Sequence, residues 1–156
     1  MLFRSVVALF ASIAGFFFGG LLIKKLSLKN ALIIGGLLVL LTNIGFSIFA
    51  LSEKYLGTLS IVVAMDSFSA GIVGTVNIAF LTSLVNKKFV ATQYALLTSF
   101  MMLPGKVFAG LSGLLADALI FNSSIEVGWA IFFVITSVLA TPALLLIIFS
   151  KAVREY

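Results

Sequence analysis

Along the chain, long apolar blocks alternate with short charged or polar punctuation. Five blocks stand out, at about residues 3–23, 30–51, 58–85, 90–119 and 128–149. Each matches or exceeds the roughly 20 predominantly apolar residues that a membrane-spanning helix requires. The connections are brief: "KKLSLK", "SEKYLG", "NKKF" and the polar "IFNSSIEV". No linker or low-complexity stretch divides them, so the pattern predicts an all-α membrane protein whose residues 1–156 form a single transmembrane domain.

Composition agrees with the pattern. The chain is 62% hydrophobic and 10% charged, whereas soluble domains average roughly 45–50% apolar and about 25% charged residues. One small core cannot hide that much apolar surface from water. Cysteine and histidine are absent, which excludes disulfides, thiolate metal sites and a histidine proton relay. Any proton carrier must be Asp, Glu or Lys, and no cofactor or metal is expected.

The net charge of +5 matters less than its placement. Lys24, Lys25 and Lys29 fall between the first two blocks, Lys87 and Lys88 between the third and fourth, and Lys151 and Arg154 in the tail. Five spans put all three clusters, seven of the ten basic residues, on one side. Arg4 and Lys54 lie opposite, with Glu53 and Glu126. The positive-inside rule then makes the tail cytoplasmic and the N-terminus external. No basic stripe with interleaved aromatics suits nucleic acid. "MLFR" before "VVALF" has the outline of a signal sequence, with "SIAG" as a cleavage site, but the run continues to Ile23 and ends in lysines, as a stop-transfer span does. A chain that starts outside with so little before its first span reads as one whose upstream helices lie elsewhere.

Two charges lie at depth. Asp66 is about eight residues into the third block, roughly 12 Å below the external surface at 1.5 Å per residue. Lys106 is near the middle of the fourth. Facing lipid, each would cost about 2.5–3.5 kcal/mol at the bilayer centre, so both are expected to face protein or water. Helical phase places Asp66, Ala70, Val73 and Asn77 on one stripe, and the small residues Ser67, Gly71 and Gly74 on another suited to close helix packing. In the fourth block Ser99, Lys106, Gly110, Gly113 and Asp117 share a stripe, and Pro104–Gly105 is expected to disturb it. Pro142 should act likewise in the fifth. Two readings stand level: Asp66 and Lys106 as substrate or proton groups in a polar passage, or as an interhelical ion pair ordering the bundle. Gln93 and Tyr94, at the start of the fourth block, default to interfacial anchors.

Several segments carry a family resemblance. "DSFSAGIVGT", "AFLTSLVNKKFVATQYALLTSF", "LPGKVFAGLSG" and "GWAIFFVIT" together resemble the AmpG family of muropeptide permeases, within the major facilitator superfamily. The most specific stretch runs from Phe89 to Ser99, with Gln93 and Tyr94. Gly128–Trp129 and the Gly71/Gly74–Thr75 turn are further landmarks. "GGLLIKKLSLKN" is similar to the superfamily's cytoplasmic loop motif, with Lys24 where the motif has Asp and Ser27 where it has Gly.

The resemblance implies that the five spans are the eighth to twelfth of a twelve-helix transporter, an order that agrees with the charge-derived orientation. It implies that the third span lines a central cavity, that the fourth is lateral and that the second and fifth are outer supports. It further implies proton-driven import of anhydromuropeptides across the bacterial inner membrane. In that setting Asp66 would take part in proton coupling or gating, Ser69, Thr75 and Asn77 would hydrogen-bond sugar, and Lys106 would meet anionic charge. Such a cavity needs two six-helix halves, so the chain is expected to be inactive alone and to work with a complementary transporter fragment.

Competing readings are a transporter of another cargo, such as acetyl-CoA, and a non-transporting membrane subunit or assembly factor. An enzyme is disfavoured: HExxH, nucleophile-elbow and phosphate-loop motifs are missing from the sequence.

Overall fold

The computed structural model describes residues 2–53, 55–86 and 88–150; Lys54, Lys87, Lys151 and Arg154, used above for orientation, lie outside them. The elements are α1 (Leu2–Lys25), α2 (Leu28–Leu51), α3 (Leu56–Leu84), α4 (Val90–Phe121) and α5 (Ile125–Phe149). Within the described residues all five are long and apolar enough to cross a membrane. The molecule is an all-α, multi-pass membrane protein.

Three helices, α2, α3 and α5, start two or three residues ahead of their apolar blocks, and serine explains the first and the last. The Ser27 hydroxyl accepts from the Asn30 backbone N–H at 3.4 Å, and the Ser124 hydroxyl from that of Val127 at 3.3 Å. Each satisfies a first-turn donor that otherwise has no partner in the helix. The prolines do not divide their helices: α4 continues through Pro104 and α5 through Pro142.

Packing sets the lateral order α1, α3, α2, α5, α4. Helices α1 and α3 run parallel and very close. A Cβ built on Gly15 would collide with the Phe68 carbonyl, and one on Gly19 would lie 2.9 Å from the Thr75 side chain. Helices α2 and α5 run antiparallel, marked by Ser47 against Ala130, Asn43 against Thr136 and Gly36 against Leu144. Leu28, Ala31 and Leu32 of α2 meet Ile72 and Val76 of α3 in the principal buried cluster. Most other large apolar side chains face outward, as suits a protein whose surroundings are acyl chains rather than water. Helix α4 is the extreme case: it rests mainly on α5, and Ala116 is its one buried residue.

Candidate functional site

At one end of the bundle, the first turns of α1, α3 and α5 and the last turns of α2 diverge around a cavity of about 730 Å³. Apolar residues form most of its wall, with Phe46, Phe49, Trp129 and Phe133 prominent. Phe46 and Phe133 stack at 5.1 Å between ring centroids, and Trp129 lies 6.1 Å from Phe133. Three charged side chains from three helices line it: Arg4, Asp66 and Glu126.

The close α1–α3 contacts fix their relative depth. Gly15 lies opposite Phe68 and Gly71, and Gly19 opposite Ile72 and Thr75. Carried back along both helices, that register sets Arg4 level with the first turn of α3. Asp66 is then about seven residues deeper, roughly 11 Å at 1.5 Å per residue. Arg4 and Glu126 stand at the mouth, Asp66 toward the floor. This half-buried acid has Thr42 of α2 as its side-chain hydrogen-bond partner, which meets the demand that a carboxyl at this depth be solvated by protein or water.

The other residues singled out from the sequence are dispersed. The Ser69 hydroxyl is buried and donates to the Met65 carbonyl one turn back, at 2.8 Å. Thr75 has the Phe16 carbonyl of α1 and its own helix's Gly71 carbonyl each at 3.2 Å. Asn77 lines a separate space of about 100 Å³ with Gly35, Gly36 and Val73. Gly71 serves close packing, since a Cβ there would strike the Ser12 carbonyl and lie 2.9 Å from the Phe16 nitrogen. Gly74 lies against the Phe16 ring, 3.3 Å from such a Cβ.

On α4, Pro104, Gly105, Lys106, Gly110 and Gly113 are all exposed, and a Cβ on any of those three glycines would meet nothing within 4 Å. Lys106 is not joined to Asp66; α3 and α4 barely touch. At the opposite end Gln93 Oε1 accepts from the Asn86 backbone N–H at 2.7 Å, with Tyr94 half-buried beside it. Gly128 allows α5 to approach α4 closely: a Cβ there would sit 2.9 Å from the Ile120 backbone nitrogen.

Sequence reasoning missed the uncharged polar residues of α2 and α5. Asn43 and Ser47 on one helix, and Thr136 and Ser137 on the other, join the two through side-chain hydrogen bonds, while the Thr42 hydroxyl donates to the Val39 carbonyl of its own helix. Hydroxyls and amides in otherwise apolar spans were the available signal. Among the described residues there is no group of three or more acids suited to a metal.

The fold and its cavity define a multi-pass α-helical membrane protein with an acid held at depth. The chain is 31% identical to the anhydromuropeptide permease of Escherichia coli (strain K12) over 98% of its own length and 30% of the relative's. It is 30% identical to a protein of Rickettsia prowazekii (strain Madrid E) named AmpG 1, over 88% of this chain and 29% of that one. A second protein of that organism, named AmpG 3, is 34% identical over 78% and 27%. The resemblance to muropeptide permeases thus extends along nearly the whole chain, which spans about 30% of the length of these curated relatives. No family model matches the chain, and no solved structure matches it.

Proposed function

We propose that this chain is the C-terminal portion of a major facilitator transporter that imports anhydromuropeptides into the bacterial cytoplasm, driven by protons. It is non-enzymatic and inactive alone, and a complementary segment supplies the remaining helices. It sits in the inner membrane with its tail cytoplasmic and its N-terminus periplasmic. In this reading Asp66 is the proton-coupling or gating group, and the 730 Å³ cavity is its access from the periplasmic side. The observation that supports it is an acid toward the floor of a cavity lined by four helices, in a chain matched over 98% of its length by an anhydromuropeptide permease. Without histidine, a carboxyl is the natural proton carrier.

The test replaces the matched 154-residue segment of the Escherichia coli permease with this chain and follows labelled anhydromuropeptide into membrane vesicles. The chimera should import it, and the chain alone should not. Asp66→Asn in the chimera should cut uptake at least about tenfold, the scale of a lost proton-transfer group, and flatten its pH dependence. Import by the chain alone, or a properly inserted chimera indifferent to Asp66→Asn, would sink the reading.

A further inference from the structure

Beside Asp66, polar side chains of three helices stand in sequence. The Thr42 hydroxyl, 5% exposed, is the partner of Asp66 and lies 3.1 Å from the Val39 carbonyl of its own helix. Asn43 Nδ2 donates to that same carbonyl at 2.9 Å. The far end of the amide, Asn43 Oδ1, accepts from Thr136 Oγ1 of α5 at 3.0 Å, and Thr136 Oγ1 also lies 2.9 Å from the Phe133 carbonyl. The groups therefore run from Asp66 on α3 through Thr42 and Asn43 on α2 to Thr136 on α5.

Counting protons gives this chain two states. A threonine hydroxyl has one proton to donate and two lone pairs to accept with. An ionised Asp66 only accepts, so Thr42 donates to it and releases Val39. A protonated Asp66 donates to Thr42 Oγ1 instead, and the hydroxyl proton returns to the Val39 carbonyl. That oxygen gains or loses a donor with each change, and the Asn43 amide shares the oxygen. Thr136 faces the same single-proton choice, between Asn43 and Phe133. In a low-dielectric interior, adjoining hydrogen bonds polarise one another, so the choice at Thr42 is felt at Asn43 and beyond.

We propose that Thr42, Asn43 and Thr136 form a relay that hands the protonation state of Asp66 across α2 to α5. They are positioning residues; no proton travels along them. The relay rests on Asp66 being the proton site of the reading above. The charged groups facing Asp66 are Arg4 from α1 and Glu126 from α5; α2 contributes Phe46, Phe49 and Ala50 to the cavity and no titratable side chain.

Infrared difference spectroscopy on the full chain in lipid, between low and high pH, tests the relay without transport. The spectrum should contain a protonated-carboxyl band that Asp66→Asn removes, together with a side-chain amide band that Asn43→Leu removes. Thr42→Val, nearly isosteric, should abolish the pH-linked amide band, keep the carboxyl band and move it to higher wavenumber. Thr42→Ser should restore both. Thr136→Val, which touches neither Asp66 nor the cavity, should shift the amide band, and it decides the matter where Thr42→Val fails to insert. A carboxyl band without its amide companion, or an amide band indifferent to Thr42→Val and Thr136→Val, overturns the relay and leaves Asp66 as a proton site. If Asp66→Asn removes no band, the relay falls together with the reading beneath it.

Discussion

Lys29 Nζ, at the start of α2, donates to the Ile148 carbonyl in the last turn of α5 at 2.6 Å and to the Ser150 carbonyl at 3.2 Å. A helix C-terminus carries unsatisfied carbonyls and a partial negative charge, which a cation caps favourably. The lysine that reads as a topology determinant thus also ties the second helix to the fifth. Lys29→Gln should cost about 1 kcal/mol, seen as a lower melting temperature in lipid nanodiscs, with the loss shrinking as salt rises. A melting temperature unmoved at low salt would mean that the contact contributes nothing.

Glycines on two helices should respond oppositely to the same change. Gly71 is pressed against the α1 backbone, whereas Gly110 on α4 faces open space. Overpacking a close contact costs about 1–3 kcal/mol, and Gly71→Val adds β-branched bulk where even a Cβ collides. Gly110→Ala, in an exposed helix interior, should be neutral or stabilise by up to about 1 kcal/mol. Thermal unfolding of the two variants in one lipid gives the comparison. Equal losses would mean that α4's glycine face is covered.

The reading of α3 shows where sequence suffices and where it stops. Its two stripes were visible from helical phase, and both are used as distinct faces. The small-residue stripe meets α1 at Ser12, Gly15 and Phe16, and Val73 of the polar stripe meets Gly35 of α2. What the phase could not supply was the partner of Asp66. The reading offered Lys106 of α4 or a polar passage, while the side-chain partner is Thr42 of α2. Charge dominates any hydropathy profile, so single hydroxyls and amides in α2 and α5 stayed silent until their carbonyl partners were known. The starts of α2 and α5 were missed by two or three residues because their serine caps lie outside the apolar blocks. Helix α4 was legible as a small-residue stripe around Lys106, but that stripe meets none of the other four helices: a Cβ on Gly110 or Gly113 would have nothing within 4 Å.

Ser47 offers a direct measure of one α2–α5 tie. Its buried hydroxyl donates to the Ala130 carbonyl at 3.0 Å. Interhelical hydrogen bonds in membranes average about 0.6 kcal/mol, so Ser47→Ala should destabilise by that order. Thr82→Val should cost less, because the Thr82 hydroxyl bonds only the Ile78 carbonyl of its own helix, at 2.8 Å. A double-mutant cycle between Ser47 and Ser137, whose hydroxyl lies 3.5 Å from the Leu40 carbonyl, should show near-additivity, since the two bonds share no atom. Strong coupling would mean that the interface opens as one unit.

Water access to the cavity can be read with thiols, because the chain has no cysteine of its own. A methanethiosulfonate reagent attacks the thiolate, which forms in water and is suppressed in apolar surroundings. Asp66→Cys should react with a membrane-impermeant reagent added on the side that carries Arg4 and Glu126. Ile61→Cys, whose parent side chain is 62% exposed on the outer surface of the bundle, should stay unmodified because acyl chains surround it. The ratio of rates should exceed about tenfold, given the thiol's raised ionisation cost in hydrocarbon. Lys106→Cys extends the argument to α4. In this chain alone its face meets lipid and should be silent; within a longer transporter, where the family resemblance has Lys106 meeting anionic charge, it should become reactive. A reactive Ile61→Cys beside an inert Asp66→Cys would show that the cavity is closed to water, and Asp66 could not then load protons from that side.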